Sequence, residues 1–305
     1  MLFSILIANY NNSRFLDTAL ASLHVQTCTD WEVILVDDAS TDDFEKIIAC
    51  WTFDSRIRVF RNAKNEGCGY TKRRCAELAS GSLLAFLDPD DALAPGALAV
   101  MAAAHKHHPA CSLIHSTHYI CDPELNVRRV ADYPRGLPPD TPYLLLSDGR
   151  VHHFATFRKT CYLMTEGLSP LNRKAVDQDL YYKLEEVGKI LFIDQPLYYY
   201  RIHVGSISNA GKEREASCAH YSVIMAACLR RMKNKEHKKI YRARYYKARI
   251  FRSFRKRRYM DALYSLMIFP FAGGWSNLAD YLRRLPKEGS ALVRRSLVDD
   301  YEIKM

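Results

Sequence analysis

Two hydrophobic periods alternate along the first part of the chain. Phe3-Ser-Ile-Leu-Ile-Ala8 is a β-branched and aliphatic run of the kind that forms a buried strand. After the polar stretch Asn9-Tyr-Asn-Asn-Ser13, the apolar residues Leu16, Ala19, Leu20 and Leu23 recur at i, i+3, i+4 and i+7, the stripe of a helix. Glu32-Val-Ile-Leu-Val-Asp-Asp38 predicts a second buried strand, Ala39–Asp42 a cap, and about 43–51 a helix. Arg56–Phe60 predicts a short third strand, 62–69 a loop and about 70–79 a helix. Ser82–Leu87 predicts a fourth strand, and about 95–107 a helix that starts on a proline.

Four strand–helix alternations by about residue 108 predict a mostly parallel sheet with helices on both faces. Such sheets bind ligands beyond the carboxyl ends of their strands. Asn9–Asn11, Asp37–Asp38 and Asp88–Asp91 all fall at predicted strand ends, where one pocket could collect them. No Gly-x-Gly-x-x-Gly follows the first strand, and no Gly-x-x-x-x-Gly-Lys-Ser/Thr is present. This argues against a dinucleotide dehydrogenase and a P-loop NTPase.

Farther on, short strands are expected at 113–116 and 119–121. Residues 132–149, rich in Pro, Gly and Asp, are expected to form a mobile loop over the pocket mouth. A helix is predicted at 177–186 with Asp177 at its N-terminal end. Two strands, 190–193 and 197–202, are expected to be separated by Asp194-Gln-Pro196.

The apolar run before Asp88 ends in three carboxylates, Asp88, Asp90 and Asp91. Two readings are open: a polar turn that caps the next helix, or an Asp-x-Asp pair holding a divalent metal against a diphosphate. Oxygen ligands of this type suit Mg²⁺ or Mn²⁺.

Composition changes the picture in three places. With 48% hydrophobic and 26% charged residues in 305, the chain is long enough and apolar enough for a sizeable globular core. Its nine cysteines form no Cys-x-x-Cys pair and read as reduced thiols, not as a disulfide framework or zinc site. No basic segment and small-residue cleavage site precede the first strand, so no signal peptide is expected, and no run reaches the roughly 18 apolar residues of a membrane span. The net charge of +10 is uneven: residues 212–260 carry 17 Lys and Arg against 3 Asp and Glu, while residues 1–211 carry 21 against 25. Tyr241, Tyr245, Tyr246, Ile250, Phe251 and Phe254 interleave with the basic residues, and the short apolar run 262–271 follows. Three readings stay open: amphipathic helices on an anionic membrane, a basic bundle packed on the core, or a nucleic-acid-binding arm.

In order and spacing, these segments resemble the inverting family 2 glycosyltransferases of the GT-A fold, over residues 2 to about 208. Ser4-Ile-Leu-Ile-Ala-Asn-Tyr-Asn-Asn12 resembles the opening strand and nucleotide loop, and Val36-Asp-Asp-Ala-Ser-Thr-Asp42 the second-strand motif. Asn65-Glu-Gly67, Ala79-Ser-Gly81 and Phe86-Leu-Asp-Pro-Asp-Asp91 resemble the approach to the metal motif. Gly167 with Asp177-Gln-Asp-Leu180 resembles the acceptor-side motif, and Leu197-Tyr-Tyr-Tyr-Arg-Ile-His203 with Ser206-Ile-Ser208 the terminal Tyr-Arg-x-His segment. Two positions depart: Lys72-Arg73 stands for the family's Arg-Asn, and Val176-Asp177 for its Glu-Asp.

The resemblance implies a Rossmann-like α/β GT-A domain with a basic helical C-terminal extension. It divides the chain into a nucleotide-sugar half (1–110), an acceptor half (111–208) and the extension (209–305). It implies a metal-dependent, inverting transfer from a nucleotide-sugar, a UDP-sugar, to a glycan or lipid-linked hydroxyl in surface polysaccharide or lipooligosaccharide synthesis. The protein is then expected in the cytoplasm, peripheral on the inner face of the membrane.

Asp38 is implied to grip the base, Asp88 to face the ribose and Asp90 to hold Mn²⁺ or Mg²⁺. Asp177 is assigned as the general base that takes the acceptor's proton, Asp179 a structural part. His203 is assigned to the metal or diphosphate, Arg201, Lys72 and Arg73 to phosphate charge, Asn9 and Tyr10 to the nucleotide, and Asp91 to the same cluster or to a cap. Five other histidines, His105, His107, His108, His152 and His153, show no ligand spacing and are expected at the surface. A nucleotidyltransferase with a similar sheet, or a basic nucleic-acid-binding protein with a degenerate catalytic domain, are the alternatives.

Overall fold

The structure is a computed structural model, and it describes residues 1–204, 213–233 and 238–273. Ser206–Ser208 of the terminal motif and the expected boundary at residue 208 lie outside the described residues. The chain divides into two compact units, Met1–Val223 and Ile224–Met305.

The first unit is built on one sheet. β1 (Phe3–Asn9), β2 (Trp31–Asp37), β3 (Ile57–Arg61) and β4 (Leu83–Phe86) come from the predicted alternation. They lie in the order β3-β2-β1-β4, all parallel. β1 and β2 are almost wholly buried on both faces, which is why they read as continuous apolar runs and not as alternating ones. The helices between them are α1 (Ser13–His24), α2 (Phe44–Ala49) and α3 (Cys68–Leu78). α1 buries Leu16, Ala19, Leu20 and Leu23, the four residues of its predicted stripe.

Beyond β4 the sheet turns mixed. β5 (Ala92–Leu93) and α4 (Ala97–His107) follow the carboxylate cluster, then β6 (Cys111–Cys121), β7 (Val127–Val130), α5 (Tyr143–Leu146), β8 (Ala155–Arg158), α6 (Lys159–Leu163), α7 (Val176–Glu185) and β9 (Lys189–Arg201). The full order is β3-β2-β1-β4-β8-β6-β9-β5, with β7 paired to β6. β8 joins the two halves, antiparallel to both β4 and β6.

Three local expectations change. The two short strands expected at 113–121 are one strand, and so are those expected at 190–202. Ser116 pairs with Ile193 and Thr117 with Pro196, so Asp194 and Gln195 form a bulge in β9 and do not break it. The proline lacks an N–H, and the irregularity absorbs that missing bond. The segment 132–149 is not a loose cover either. Tyr143 is fully buried, and Glu185 at the end of α7 accepts the Tyr143 and Leu144 backbone N–H groups. The Tyr143 hydroxyl also bonds Gln178 at 2.5 Å.

Helices α8 (Glu213–Arg231), α9 (Lys238–Arg255) and α10 (Tyr259–Gly273) complete the described chain. No helix among the described residues is long and apolar enough to cross a membrane.

Candidate active site

The carboxyl ends of β1, β2 and β4 lie side by side, because Asn9 pairs with Asp37 and Leu6 with Phe86 in adjacent parallel registers. At the first of these ends Asn9 is fully buried. Its amide nitrogen donates to Asp37 at 2.9 Å and to Ser40 at 3.2 Å, so its side chain ties the loop together from beneath. Tyr10 is the exposed neighbour, at 47%.

Asp37 is fully enclosed: Asn9, the Ser40 N–H at 3.0 Å and the Arg61 guanidinium at 3.3 Å take up its oxygens. Asp38 accepts bonds from Asn62 Nδ2 at 2.7 Å and from the Glu66 and Gly67 N–H groups at 2.9 and 2.8 Å. It therefore shapes the turn that leads into α3.

α3 delivers the central cation. Gly69, Thr71, Lys72, Cys75 and Ala76 form the buried side of this helix, so Lys72 sits on an otherwise small and apolar face. Its ammonium lies 2.9 Å from Asp177 and 3.1 Å from Asp88, bridging two carboxylates that are far apart in the sequence. Gly69 makes this possible. A Cβ there would stand 2.3 Å from the Asn172 carbonyl and 2.4 Å from that of Ser169, so only glycine lets α3 touch the segment before α7. That close approach brings Lys72 to Asp177.

Burial works against all three charges, yet the pairing sorts them. Burial disfavours the Lys72 ammonium, but Asp177 and Asp88 outweigh it and raise its pKa well above the usual lysine value. Burial also pushes Asp88 up, but Lys72 and the nearby histidines hold it below the usual carboxylate value. Asp177 goes the other way: burial, aided by Asp88, raises it in spite of Lys72. Asp177 is not the cap of α7; Ala175 is, leaving the carboxyl free to face Lys72 from the first turn. Asp179 turns inward to Lys183 at 2.8 Å, a structural ion pair.

A second group comprises Asp90, Asp91, Arg201 and His203. His203 Nε2 lies 2.9 Å from Asp90 Oδ2, and its Nδ1 lies 3.0 Å from the Val204 carbonyl. A carbonyl only accepts, so Nδ1 carries a hydrogen; the Nε2–Asp90 contact is a hydrogen bond whose proton lies on one of the two partners, and a divalent ion set between them would take that proton's place. The 2.9 Å separation is close to the ~3.0 Å between adjacent ligands of an octahedral ion with bonds of about 2.1 Å. The pair thus fits two positions of a Mg²⁺ or Mn²⁺ shell. Among the described residues no group of three or more His, Cys, Asp or Glu is arranged to hold a metal. A cation held by this pair would take its remaining ligands from phosphates and water, the usual arrangement for Mg²⁺. Burial and the charge of Asp88 raise the Asp90 pKa, a cost that a cation would offset.

Asp91 lies deeper and is 1% exposed. It accepts the Tyr198 hydroxyl at 2.8 Å and the Arg201 backbone N–H at 2.8 Å, and burial pushes its pKa well up. Arg201 donates to the Asp90 carbonyl at 2.6 Å and to the Pro123 carbonyl, with its guanidinium 4.6 Å from the Phe15 ring centroid. Both residues stand as struts under the loop that presents Asp88 and Asp90. Asp91→Asn is therefore expected to fold and turn over like the parent, since an amide still accepts from Arg201. Asp91→Ala should lose about 1–3 kcal/mol of stability from the orphaned partners, read by denaturant melts of the three proteins.

Arg73 points elsewhere. One residue further round α3, it pairs with Glu77 at 2.8 Å and donates to the Leu168 carbonyl at 3.0 Å.

Two histidines expected at the surface belong to this neighbourhood. His153 stacks on Tyr198 with centroids 4.8 Å apart and lies 3.8 Å from Asp88. Burial lowers its pKa to about 4, so the ring is neutral near pH 7. His152 packs edge-on against it, 4.5 Å away. His105 is also buried, 2.9 Å from the Thr156 hydroxyl; His107 and His108 are exposed as expected. The signal for the pair was adjacency: His152-His153-Phe154 runs directly into the apolar strand β8.

Comparison with known proteins gives this geometry a family. Residues 4–165 match the family described as Glycosyl transferase family 2. The chain belongs to that family: it is a glycosyltransferase, which displaces the nucleotidyltransferase reading. Among its relatives is the chondroitin synthase of Escherichia coli, 32% identical over 203 residues, or 66% of this chain and 29% of that protein. The chain thus spans under a third of that relative's length. The structure of S. aureus TarS 1-349 in complex with UDP-GlcNAc superposes with a TM-score of 0.69 at 19% identity, covering 89% of this chain and 81% of that one. The mannosyltransferase PcManGT from Pyrobaculum calidifontis, in complex with GDP-Man and Mn2+, gives 0.57 at 15% identity over 95% of this chain and 79% of its own. These likenesses establish the GT-A fold.

Proposed function

We propose that the chain transfers a sugar, with inversion, from a UDP-sugar to a hydroxyl of a glycan or lipid-linked acceptor in surface polysaccharide or lipooligosaccharide synthesis. It does so at the cytoplasmic face of a membrane. The Lys72 bridge between Asp88 and Asp177 carries this reading, because it sets a donor-side and an acceptor-side carboxylate one cation apart. The UDP-GlcNAc of the TarS complex and the name of the chondroitin synthase relative support the donor and the polymer class.

Tyr10 and Asp38 border the nucleotide end, with Asn9 beneath them and Asp88 toward the ribose. Lys72 supplies positive charge where the diphosphate leaves, with Arg73 and Arg201 holding the surrounding backbone. Asp90 and His203 hold Mn²⁺ or Mg²⁺; when bound, the cation offsets charge on the departing diphosphate. Asp177 accepts the acceptor hydroxyl's proton as that oxygen attacks the anomeric carbon from the face opposite the nucleotide. Burial suits it to the task, since a raised pKa makes the carboxylate a stronger base.

Two results test this reading. In a panel of UDP- and GDP-sugars with Mn²⁺, one UDP-sugar should raise the melting temperature and be slowly hydrolysed; no response to any UDP-sugar would defeat the donor assignment. Lys72→Met should shift the acid limb of the kcat/KM profile to higher pH. The sign follows from the cation: Lys72 favours ionised Asp177, so its removal raises that pKa further, and the base is lost at a higher pH as pH falls. An unmoved limb would separate Asp177 from the titration that controls the rate.

A further inference from the structure

Of the three readings open for the interleaved aromatics of residues 241–254, one lays them on a membrane and another packs them inside the protein. The structure spends most of that face internally. Tyr241 is 7% exposed and Ile250 fully buried, and Ile250 forms a small core with Phe269 of α10. Phe254 remains exposed at 44%.

α10 has two apolar faces. Ala262, Ser265, Phe269 and Ala272 are all at or below 3% exposure and form its inner side. Met260, Leu263, Tyr264, Met267 and Phe271 are 52–78% exposed and follow one another at steps of 3, 1, 3 and 4 residues. Those steps place all five on one stripe. A helix facing water normally puts charged residues there, but between Tyr259 and Gly273 the only charged residue is Asp261. The turn just before the stripe is the reverse: Lys256, Arg257 and Arg258 are consecutive and exposed.

We propose that this outer face of α10, with the Lys256–Arg258 turn, docks the protein on an anionic lipid surface. Charge complementarity selects that occupant. A second copy of the chain would bring the same basic turn and the same strongly basic surroundings, so pairing two such faces opposes like charges. An anionic bilayer accepts the cations at its headgroups and the apolar stripe just below them. Length fixes the mode. The 15 residues of α10 span about 22 Å at 1.5 Å each, short of the ~30 Å hydrocarbon core. The helix therefore lies in the interface, with Tyr264 and Phe271 at the depth where aromatic rings are favoured.

The test is co-sedimentation of the full chain with vesicles of phosphatidylcholine, with and without phosphatidylglycerol. The parent should pellet only when phosphatidylglycerol is present. Lys256→Ser, Arg257→Ser and Arg258→Ser combined should weaken that partition on the order of 100-fold, from roughly fivefold per basic residue. Met267→Glu should also weaken it, with unchanged circular dichroism. Equal binding to both vesicle types, no binding by the parent, or parent-like binding by Met267→Glu would each overturn the proposal. Loss of a concentration-dependent dimer in Met267→Glu, without vesicle binding by the parent, would assign the face to a second copy instead. The proposal adds to the transferase reading, and the vesicle assay needs no donor. Donor-induced thermal stabilisation, measured on the same proteins, keeps a failure of one distinct from a failure of the other.

Discussion

Asp177→Asn is expected to cut kcat by about 10²–10⁴-fold while leaving the nucleotide-sugar bound, the range that a general base contributes. The amide keeps the shape of the carboxylate but cannot take the acceptor's proton. Lys72 loses one anionic partner and keeps Asp88 at 3.1 Å, so the buried ammonium is not stranded. Donor-induced thermal stabilisation should consequently survive, and the acid limb of the rate profile should disappear with the group that causes it. Single-turnover kinetics and a melting curve with donor make the comparison. Turnover at the parent rate would remove Asp177 from the role of base, and loss of donor binding would reassign it to the donor site.

The second large effect falls on the metal pair. Asp90→Ala should lower transfer by roughly 10³-fold or more, because charge stabilisation by a bound divalent ion is worth several kcal/mol. A chelator should produce the same loss in the parent and no further loss in the variant. Asp91→Asn, one residue along, is the internal control: its carboxyl bonds Tyr198 and the Arg201 backbone, away from the pair. His203→Ala should act in the same direction as Asp90→Ala and weaken the affinity for Mn²⁺, read as a higher metal concentration for half-maximal rate. Chelator-resistant transfer together with a parent-like Asp90→Ala would show that no metal clamps the diphosphate.

Much of the fold was legible because burial follows local period. The continuous apolar runs of β1 and β2 mark strands covered on both faces, and all four residues of the α1 stripe are buried. The errors came where a partner strand far away decides the outcome. Asp194-Gln-Pro196 looks like a break in isolation, yet β6 pairs on both sides of it and carries the chain through as one strand. Residues 132–149 look like a free loop by composition, but Glu185 at the end of α7 collects their N–H groups.

The site shows the same division. The Asn9 loop at the end of β1 and the carboxylates at the ends of β2 and β4 could be located from the sequence, since a parallel sheet puts all its carboxyl ends on one side. The order of motifs pointed to Asp177 and His203. Which cation meets which carboxylate could not be read there, because Lys72 and Asp177 are 105 residues apart and Lys72 and Arg73 are chemically alike. Packing separates them: Lys72 shares the buried face of α3 with Cys75 and Ala76, and Arg73 turns to Glu77 and the Leu168 carbonyl. His152 and His153 lie beside an apolar run, which hints at burial, but the tyrosine that His153 stacks on belongs to a distant strand.

The sequence by itself determined the strands and helices, the ends at which chemistry collects, and the family to which the chain belongs. Tertiary structure decided the rest: that Asp88 and Asp177 share one lysine, that Asp91 is a strut and not an exposed ligand, and that α10 keeps one apolar face for the protein and turns the other outward. The reason is one of range. Periodicity records which side of an element is buried, but the partner of a buried charge is set by the approach of distant segments, here through a contact that only Gly69 allows.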